Sequence, residues 1–277
     1  MIASRVKARM GNSGPSESGE SCGKCAICPS ASTKPLKAIM EGGGVRLGTT
    51  PGNGAVACGV AQYIDHTLLK PDATRADIEK LCAEARQWGF KTVCLNASNI
   101  AIATRLLAGS SVVPIAVVGF PLGASTPQAK AFEAKEAVRN GAQEIDMVIN
   151  IGALKSKDYK VVLDDIIAVV KAACPKPVKV ILETHQLTRD EKVLSCVLSK
   201  VAGAAFVKTS TGFTGGGATV EDIALMRSVV GDDMGVKASG GVRSREDADK
   251  LIAAGADRLG ASASVTICQG GKSKGSY

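Results

Sequence analysis

From about residue 60 onward the chain alternates short β-leaning runs with helical patterns, at a spacing of roughly 25 to 30 residues, which is the signature of repeated βα units. Eight runs carry the strand signal: QYIDHTLL near 62, FKTVCLN near 90, PIAVVGF at 114, EIDMVIN at 144, VKVILET at 178, AAFVKTS at 204, MGVKAS at 234 and DRLGAS at 257. Most are nearly continuously apolar, as expected of parallel strands covered outside by helices and packed inside as well. The helices between them open on capping boxes, in which a hydroxyl N-cap is followed three residues later by an acid: Thr74 with Asp77, Thr188 with Glu191, Thr219 with Asp222, and Ser244 with Asp247. Apolar stripes follow, such as Ile78, Leu81, Cys82 and Ala85, or Ile223, Met226 and Val230. Glycines close several of these segments, at Gly89, Gly141, Gly203 and Gly255.

Eight strands, each followed by a helix or tail, predict an α/β protein with a closed (β/α)8 barrel. The competing fold is an open doubly wound sheet. Against it, no G-x-G-x-x-G follows the first strand, and the glycine-rich turns cluster after the sixth and seventh strands. The expected organisation is a mobile, low-complexity extension over 1–55, the barrel over 56–265 and a tail over 266–277. The extension is rich in Gly, Ser, Pro and Lys (GNSGPSESGES, MEGGGVRLGTTPGNG).

Composition narrows the function classes. With 277 residues and 45% hydrophobic content the chain can bury one large core or two modest ones, and no apolar stretch approaches the roughly 18 residues of a membrane span. The N-terminus lacks the apolar core of a secretory signal, so a cytoplasmic location and no membrane partner are expected. The formal charge of +8 admits an anionic partner, but aromatics are only 3% and no basic stripe interleaves with them. That argues against nucleic acid and for a small phosphorylated substrate. Cys82, Cys94, Cys174, Cys196 and Cys268 are scattered singly among apolar neighbours, the usage of reduced cysteines as small hydrophobes.

Two lysines stand out. Lys208 in AAFVKTSTG and Lys237 in MGVKASGG are each the one charge in an apolar run that ends in glycine, a costly placement unless chemistry needs it. Because a (β/α)8 barrel builds its active site at the C-terminal ends of its strands, polar residues there rank first. That filter returns Asp65, His66, Thr67, Asn96, Asp146, Asn150, Lys179, Glu183, Lys208, Thr209, Ser210, Thr211, Lys237, Ser239 and Ser262. Lysines on consecutive strands disfavour each other's charge, and burial adds to this. Both effects lower an amine from its ordinary value of about 10.4 toward neutrality, as a Schiff-base nucleophile requires. Asp146, within IDMVIN, is the best carboxylate for moving protons. Gly240 and Gly241 after the seventh run, and Gly260 with Ser262 at the eighth, sit where barrels often hold phosphate.

Five motifs in order, IDHTLLKPDAT at 64, VVGFPLGA at 117, EIDMVINIGALK at 144, VKTSTGF at 207 and GVKASGGVR at 235, closely resemble the class I deoxyribose-phosphate aldolases over about residues 60–265. The resemblance implies reversible cleavage of 2-deoxy-D-ribose 5-phosphate to D-glyceraldehyde 3-phosphate and acetaldehyde, with no cofactor and no metal. It makes Lys208 the Schiff-base lysine, Lys237 the lysine that perturbs it and Asp146 the proton shuttle. Asp65 and Lys179 join the surrounding network. Phosphate binding falls to Thr211, Gly212, Gly240, Gly241, Gly260 and Ser262, and Cys94 to the pocket lining. A homo-oligomer is also implied. Another Schiff-base sugar-phosphate aldolase, or a non-catalytic phosphosugar-binding barrel, is the alternative.

Departures from the family pattern are Ala97 after Asn96, His185 after ILET, and the long extension. The extension carries Cys22, Cys25 and Cys28 at metal-ligand spacing, with Cys58 as a weak fourth; its low-complexity flanks favour a redox role or none over a metal. His66 and His185 are too far apart in sequence for an obvious metal site or triad. Some relatives end, like GGKSKGSY, in a tyrosine that assists proton transfer. Deleting Tyr277 is therefore expected to lower turnover more than substrate binding in steady-state kinetics; unchanged turnover removes it from the mechanism.

Overall fold

The computed structural model describes residues 59–273. The extension with Cys22, Cys25, Cys28 and Cys58, and Tyr277 at the other end, lie outside the described residues. Eight parallel strands close into a barrel in sequence order: β1 (Ile64–Leu68), β2 (Thr92–Asn96), β3 (Val113–Val118), β4 (Glu144–Val148), β5 (Val178–Ile181), β6 (Phe206–Lys208), β7 (Gly235–Ser239) and β8 (Arg258–Ala261), which pairs back onto β1. The expected barrel holds, and the open sheet is excluded by the β1–β8 pairing.

The helices are α1 (Arg75–Trp88), α2 (Ile100–Leu106), α3 (Pro127–Arg139), α4 (Ile151–Lys155), α5 (Tyr159–Ala173), α6 (Arg189–Val201), α7 (Val220–Val230), α8 (Arg245–Ala253) and α9 (Ser264–Cys268). Complete capping boxes form at Thr74, Thr188 and Ser244. At Thr219 only half forms: its hydroxyl accepts from the Asp222 N–H, while the Asp222 carboxylate takes Lys192 at 2.5 Å. A charge-assisted bond to a neighbouring helix outcompetes a backbone N–H for that carboxylate. Helix α1 buries the expected stripe and ends at Gly89, whose φ of 64° is the left-handed cap that lets the chain turn into β2. Helix α9 crosses the expected boundary at 265. Its Ile267 is fully buried, and Ser273 N–H bonds the Arg243 carbonyl, so the chain beyond β8 still belongs to the packed barrel.

The strands alternate by side. Ile145, Met147, Val180, Val207, Val236 and Leu259 are fully buried apolar neighbours of the inward-facing Asp146, Lys179, Lys208, Lys237 and Arg258. The continuously apolar reading of these runs thus misses their inner face. That interior is divided. On the β2–β3 side Cys94, Ile115 and Val117 pack with Leu69 and Phe120, while the β4–β8 side, together with β1, carries charges.

Outside the barrel, α3 packs on α5 through a buried ion pair. Lys130 Nζ lies 2.6 Å from Asp165 Oδ2 and also donates to the Val148 carbonyl at 2.9 Å, tying the end of β4 to both helices. Lys130→Met leaves the Asp165 carboxylate buried and unpaired, with an expected loss of about 3–5 kcal/mol in chemical denaturation. The apolar double replacement Lys130→Met with Asp165→Leu is expected to recover most of it; a Lys130→Met protein as stable as wild type would show that Asp165 finds another partner.

Candidate active site

The charged half of the barrel converges on one carboxylate. Asp146, in the middle of β4 and fully buried, receives Lys179 Nζ on Oδ1 at 2.9 Å, and both Lys208 Nζ at 3.0 Å and Lys237 Nζ at 2.8 Å on Oδ2. The strand register explains this convergence. Lys208 and Lys237 are paired partners on β6 and β7, and Asp146 and Lys179 are paired partners on β4 and β5, so four long or charged side chains point inward at neighbouring levels. Lys237 also lies 2.6 Å from Asp65 Oδ2, and Asp65 accepts from the Thr92 hydroxyl at 2.7 Å.

The two lysines that share Asp146 Oδ2 are not equivalent. Burial pushes the Lys208 amine down, and the charge of Lys237 pushes it further; Asp146 opposes both but does not outweigh them. Burial acts on Lys237 in the same sense, yet Asp146 and Asp65 together overcome it and hold Lys237 above the ordinary lysine range. One carboxylate against two makes the difference. Asp146 itself would be raised by burial, but Lys179, Lys237 and Lys208 hold it well below the usual carboxylate range. Asp65 is likewise held low, its burial more than offset by Lys237, Arg258 and Lys179. The site therefore presents a charged Lys237, an ionised Asp146, and at the C-terminal end of β6 a Lys208 amine biased toward its neutral form.

The filter on strand ends needs correction for Asp65 and Lys179. Each is the second residue of its strand, deep in the barrel rather than at the mouth. They reach the site because the strands are staggered around the barrel and lysine side chains are long. Two members escaped the sequence reading. Arg258, the first residue of β8, donates to Asp65 Oδ1 and to Glu144 Oε2, both at 2.8 Å, and Glu144, the first residue of β4, also pairs with Lys179. The available signal was a charge at the opening of an apolar run, Glu144 in EIDM and Arg258 in DRLGA, which a search of C-terminal ends discards.

Other candidates have structural partners. His66 faces outward, with Nε2 at 2.8 Å from Glu84 and Nδ1 at 2.9 Å from the Ser264 hydroxyl. Thr67 bonds the Asp65 carbonyl, and Asn96 Nδ2 donates to the Leu69 carbonyl. Asn150 caps α4 through the Ala153 N–H. Thr209 and Ser239 stitch β6 to β7: the Ser239 N–H donates to the Thr209 hydroxyl, which donates to the Ser239 carbonyl, and the Ser239 hydroxyl donates to the Ser210 carbonyl. Thr211 is engaged by Glu183, a buried residue with φ of 59°, through both its hydroxyl at 2.5 Å and its N–H at 3.2 Å. Cys94 is fully buried, and burial pushes its thiol up, so it stands in the interior as a protonated thiol rather than a reactive thiolate.

The glycines fall into two groups. Gly212, Gly240 and Gly241 have φ of 85°, 84° and 77° in the loops after β6 and β7, which meet through the Ala218 N–H on the Gly240 carbonyl. Ser262, just beyond β8, is exposed and lines a groove with His66, Thr67, Lys70 and Lys80. Gly260 lies within β8, where an added Cβ would sit 3.1 Å from Lys237 Cε and 2.9 Å from Ser239 Cβ. Its absent side chain makes room for Lys237. Among the described residues no group of three or more His, Cys, Asp or Glu is placed to hold a metal ion, and no helix is long and apolar enough to cross a membrane.

The fold and this lysine-carboxylate centre define an aldolase barrel, and comparison with known proteins agrees. The profile of the DeoC/LacD family aldolases matches residues 59–270, and the chain belongs to that family. A deoxyribose-phosphate aldolase of Clostridium perfringens is 60% identical over 219 residues, covering 79% of this chain and 98% of that protein. One from Macrococcus caseolyticus is 57% identical over 218 residues, with 79% and 99% covered. Among solved structures, the tetrameric deoxyribose phosphate aldolase of Aeropyrum pernix is 35% identical and superposes with a TM-score of 0.71, covering 76% of this chain and 89% of that one.

Gly260→Ala is expected to displace Lys237 and lower kcat roughly 10- to 100-fold, because a misplacement of about 1 Å is enough for that. A kcat within about twofold of wild type, in a protein of unchanged circular dichroism, would mean that β8 absorbs the methyl without moving the amine.

Proposed function

We propose that this protein is a class I aldolase that reversibly cleaves 2-deoxy-D-ribose 5-phosphate to D-glyceraldehyde 3-phosphate and acetaldehyde. The observation that carries this reading is the pair Lys208 and Lys237 on a single Asp146 oxygen, at 3.0 and 2.8 Å, with the first amine depressed and the second raised. The homologues' activity supports the choice of substrate.

In the synthetic direction the neutral Lys208 amine attacks the acetaldehyde carbonyl, and loss of water from the carbinolamine leaves an imine. Removal of a methyl proton gives the enamine, whose terminal carbon attacks the aldehyde carbon of glyceraldehyde 3-phosphate. Water then hydrolyses the new imine, freeing the sugar phosphate and the Lys208 amine. Asp146, acting through a water, moves the protons, and the fixed charge of Lys237 keeps Lys208 from holding its own. Asp65 and Lys179 hold this arrangement in place. The glycine-rich backbone after β6 and β7, with Ser262, takes the phosphate; Thr211 contributes by shaping the first of those loops, since Glu183 occupies its hydrogen-bonding groups. The covalent lysine chemistry calls for no metal ion. The catalytic unit is the barrel from about residue 56, self-association is part of the reading by likeness to the tetrameric relative, and the singly placed cysteines fit a cytoplasmic setting.

Borohydride reduction in the presence of acetaldehyde tests the mechanism. Wild type is expected to carry an adduct on Lys208, Lys208→Ala none, and Lys237→Leu an adduct that forms slowly at neutral pH. An untrapped wild type sinks the Schiff-base reading, and faster cleavage of another phosphorylated sugar than of deoxyribose 5-phosphate moves the assignment to a different substrate.

A further inference from the structure

The ion pairs inside the barrel close on themselves. Glu144 meets Lys179, Lys179 meets Asp146 at 2.9 Å, Asp146 meets Lys237 at 2.8 Å, Lys237 meets Asp65 at 2.6 Å, Asp65 meets Arg258 at 2.8 Å, and Arg258 returns to Glu144 at 2.8 Å. The result is a six-membered ring of alternating sign, drawn from β4, β5, β7, β1 and β8. Three cations face three anions within it. Lys208 is bound to the ring only through Asp146 Oδ2, as a fourth cation with no fourth carboxylate.

The ring is also anchored at the opposite end of the barrel from the mouth. Glu144 and Arg258 open their strands, whereas Lys208 closes β6. Phe206, at the start of β6, lies under both cations of that end, its ring centre 5.5 Å from Lys179 Nζ and 5.9 Å from Arg258 Cζ. Gly235 beside it leaves that ring its space, since a Cβ there would sit 2.1 Å from Phe206 Cε1.

We propose that Glu144 and Arg258 are positioning residues that complete a charge-neutral ring and thereby set the protonation of Lys208 from the far end of the barrel. The inference rests on Lys208 as the reacting amine. A neutral ring leaves Lys208 the surplus charge, so its proton is the one the site gives up. The groups that act on Lys208 directly are Asp146 from β4, Lys237 from β7 and Cys94 from β2; Arg258 acts by holding Asp65 ionised, Glu144 by pairing with Arg258, and both by their own charges.

The sign differs for the two residues. Without the Glu144 charge the ring carries a net positive charge, the Lys208 ammonium is less tolerated and its titration moves down. Without the Arg258 charge the ring is net negative and the titration moves up. A purely structural role would not produce opposite displacements.

The test reads the amine itself, in the full-length protein and without substrate. Trace acetylation by acetic anhydride, with the Lys208 peptide quantified by mass spectrometry across pH, gives the midpoint at which the neutral amine forms. Glu144→Gln is expected to lower that midpoint by roughly 0.5 to 1 pH unit and Arg258→Gln to raise it by a similar amount, while the double variant returns near wild type. Should Arg258→Gln fail to fold, Glu144→Gln against the double variant decides: a midpoint lowered in the first and restored in the second supports the ring, and equal midpoints overturn it. Shifts of the same sign, or none, in folded single variants also overturn it. Because no aldol substrate enters the assay, these outcomes are independent of whether deoxyribose 5-phosphate is the substrate.

Discussion

One carboxylate shared by three lysines is the constraint on which the interior of this barrel depends. Asp146 is fully buried, and a lone ion there would be several kcal/mol out of place. Lys179, Lys208 and Lys237 compensate it from three different strands. That compensation dictates much else: Gly260 must lack a side chain so that Lys237 can lie across it, and Asp65 must be present to take Lys237's second contact. With Asp65 in place, Lys237 stays charged and Lys208 becomes the weaker base. The reactivity of the site is thus a consequence of how buried charges are counted and paired rather than of any single unusual residue.

The division of the barrel into two halves serves the same end. Barrels are commonly filled by branched aliphatic side chains, and here Ile115 and Val117, with Cys94, Leu69 and Phe120, supply such packing on the β2–β3 side. They lower the local dielectric beside the charges, which strengthens each ion pair and sharpens the penalty on a surplus one. Outside, Lys130 and Asp165 hold the end of β4 against α3 and α5, so the strand that carries Asp146 is fixed from both sides.

Much of this was legible along the chain. Capping residues and apolar stripes mark the helices because they answer to local backbone needs, and three of the four capping boxes form complete. Lys208, Lys237 and Asp146 are visible because a charge inside an apolar run is locally anomalous. Glu144 and Arg258 also border apolar runs, but they open their strands, where a search of C-terminal ends does not look. His66, Asn150 and Thr209 show the opposite case, polar residues at strand ends whose partners turn out to be a helix carboxylate, a backbone cap and a neighbouring strand.

The sequence by itself determined the number and order of βα units, the three central charges Asp146, Lys208 and Lys237, and the family, since each depends on residues close together in the chain or on short motifs. Tertiary structure alone decided which charges meet. Asp65 and Arg258 are 193 positions apart, and Lys237 and Asp146 are 91 apart, yet barrel closure and strand stagger bring each pair to 2.8 Å. Register across eight strands is a collective property, and a shift on any one of them would give every interior charge a different partner. That is why a neutral ring with one surplus lysine emerges only when the strands are assembled.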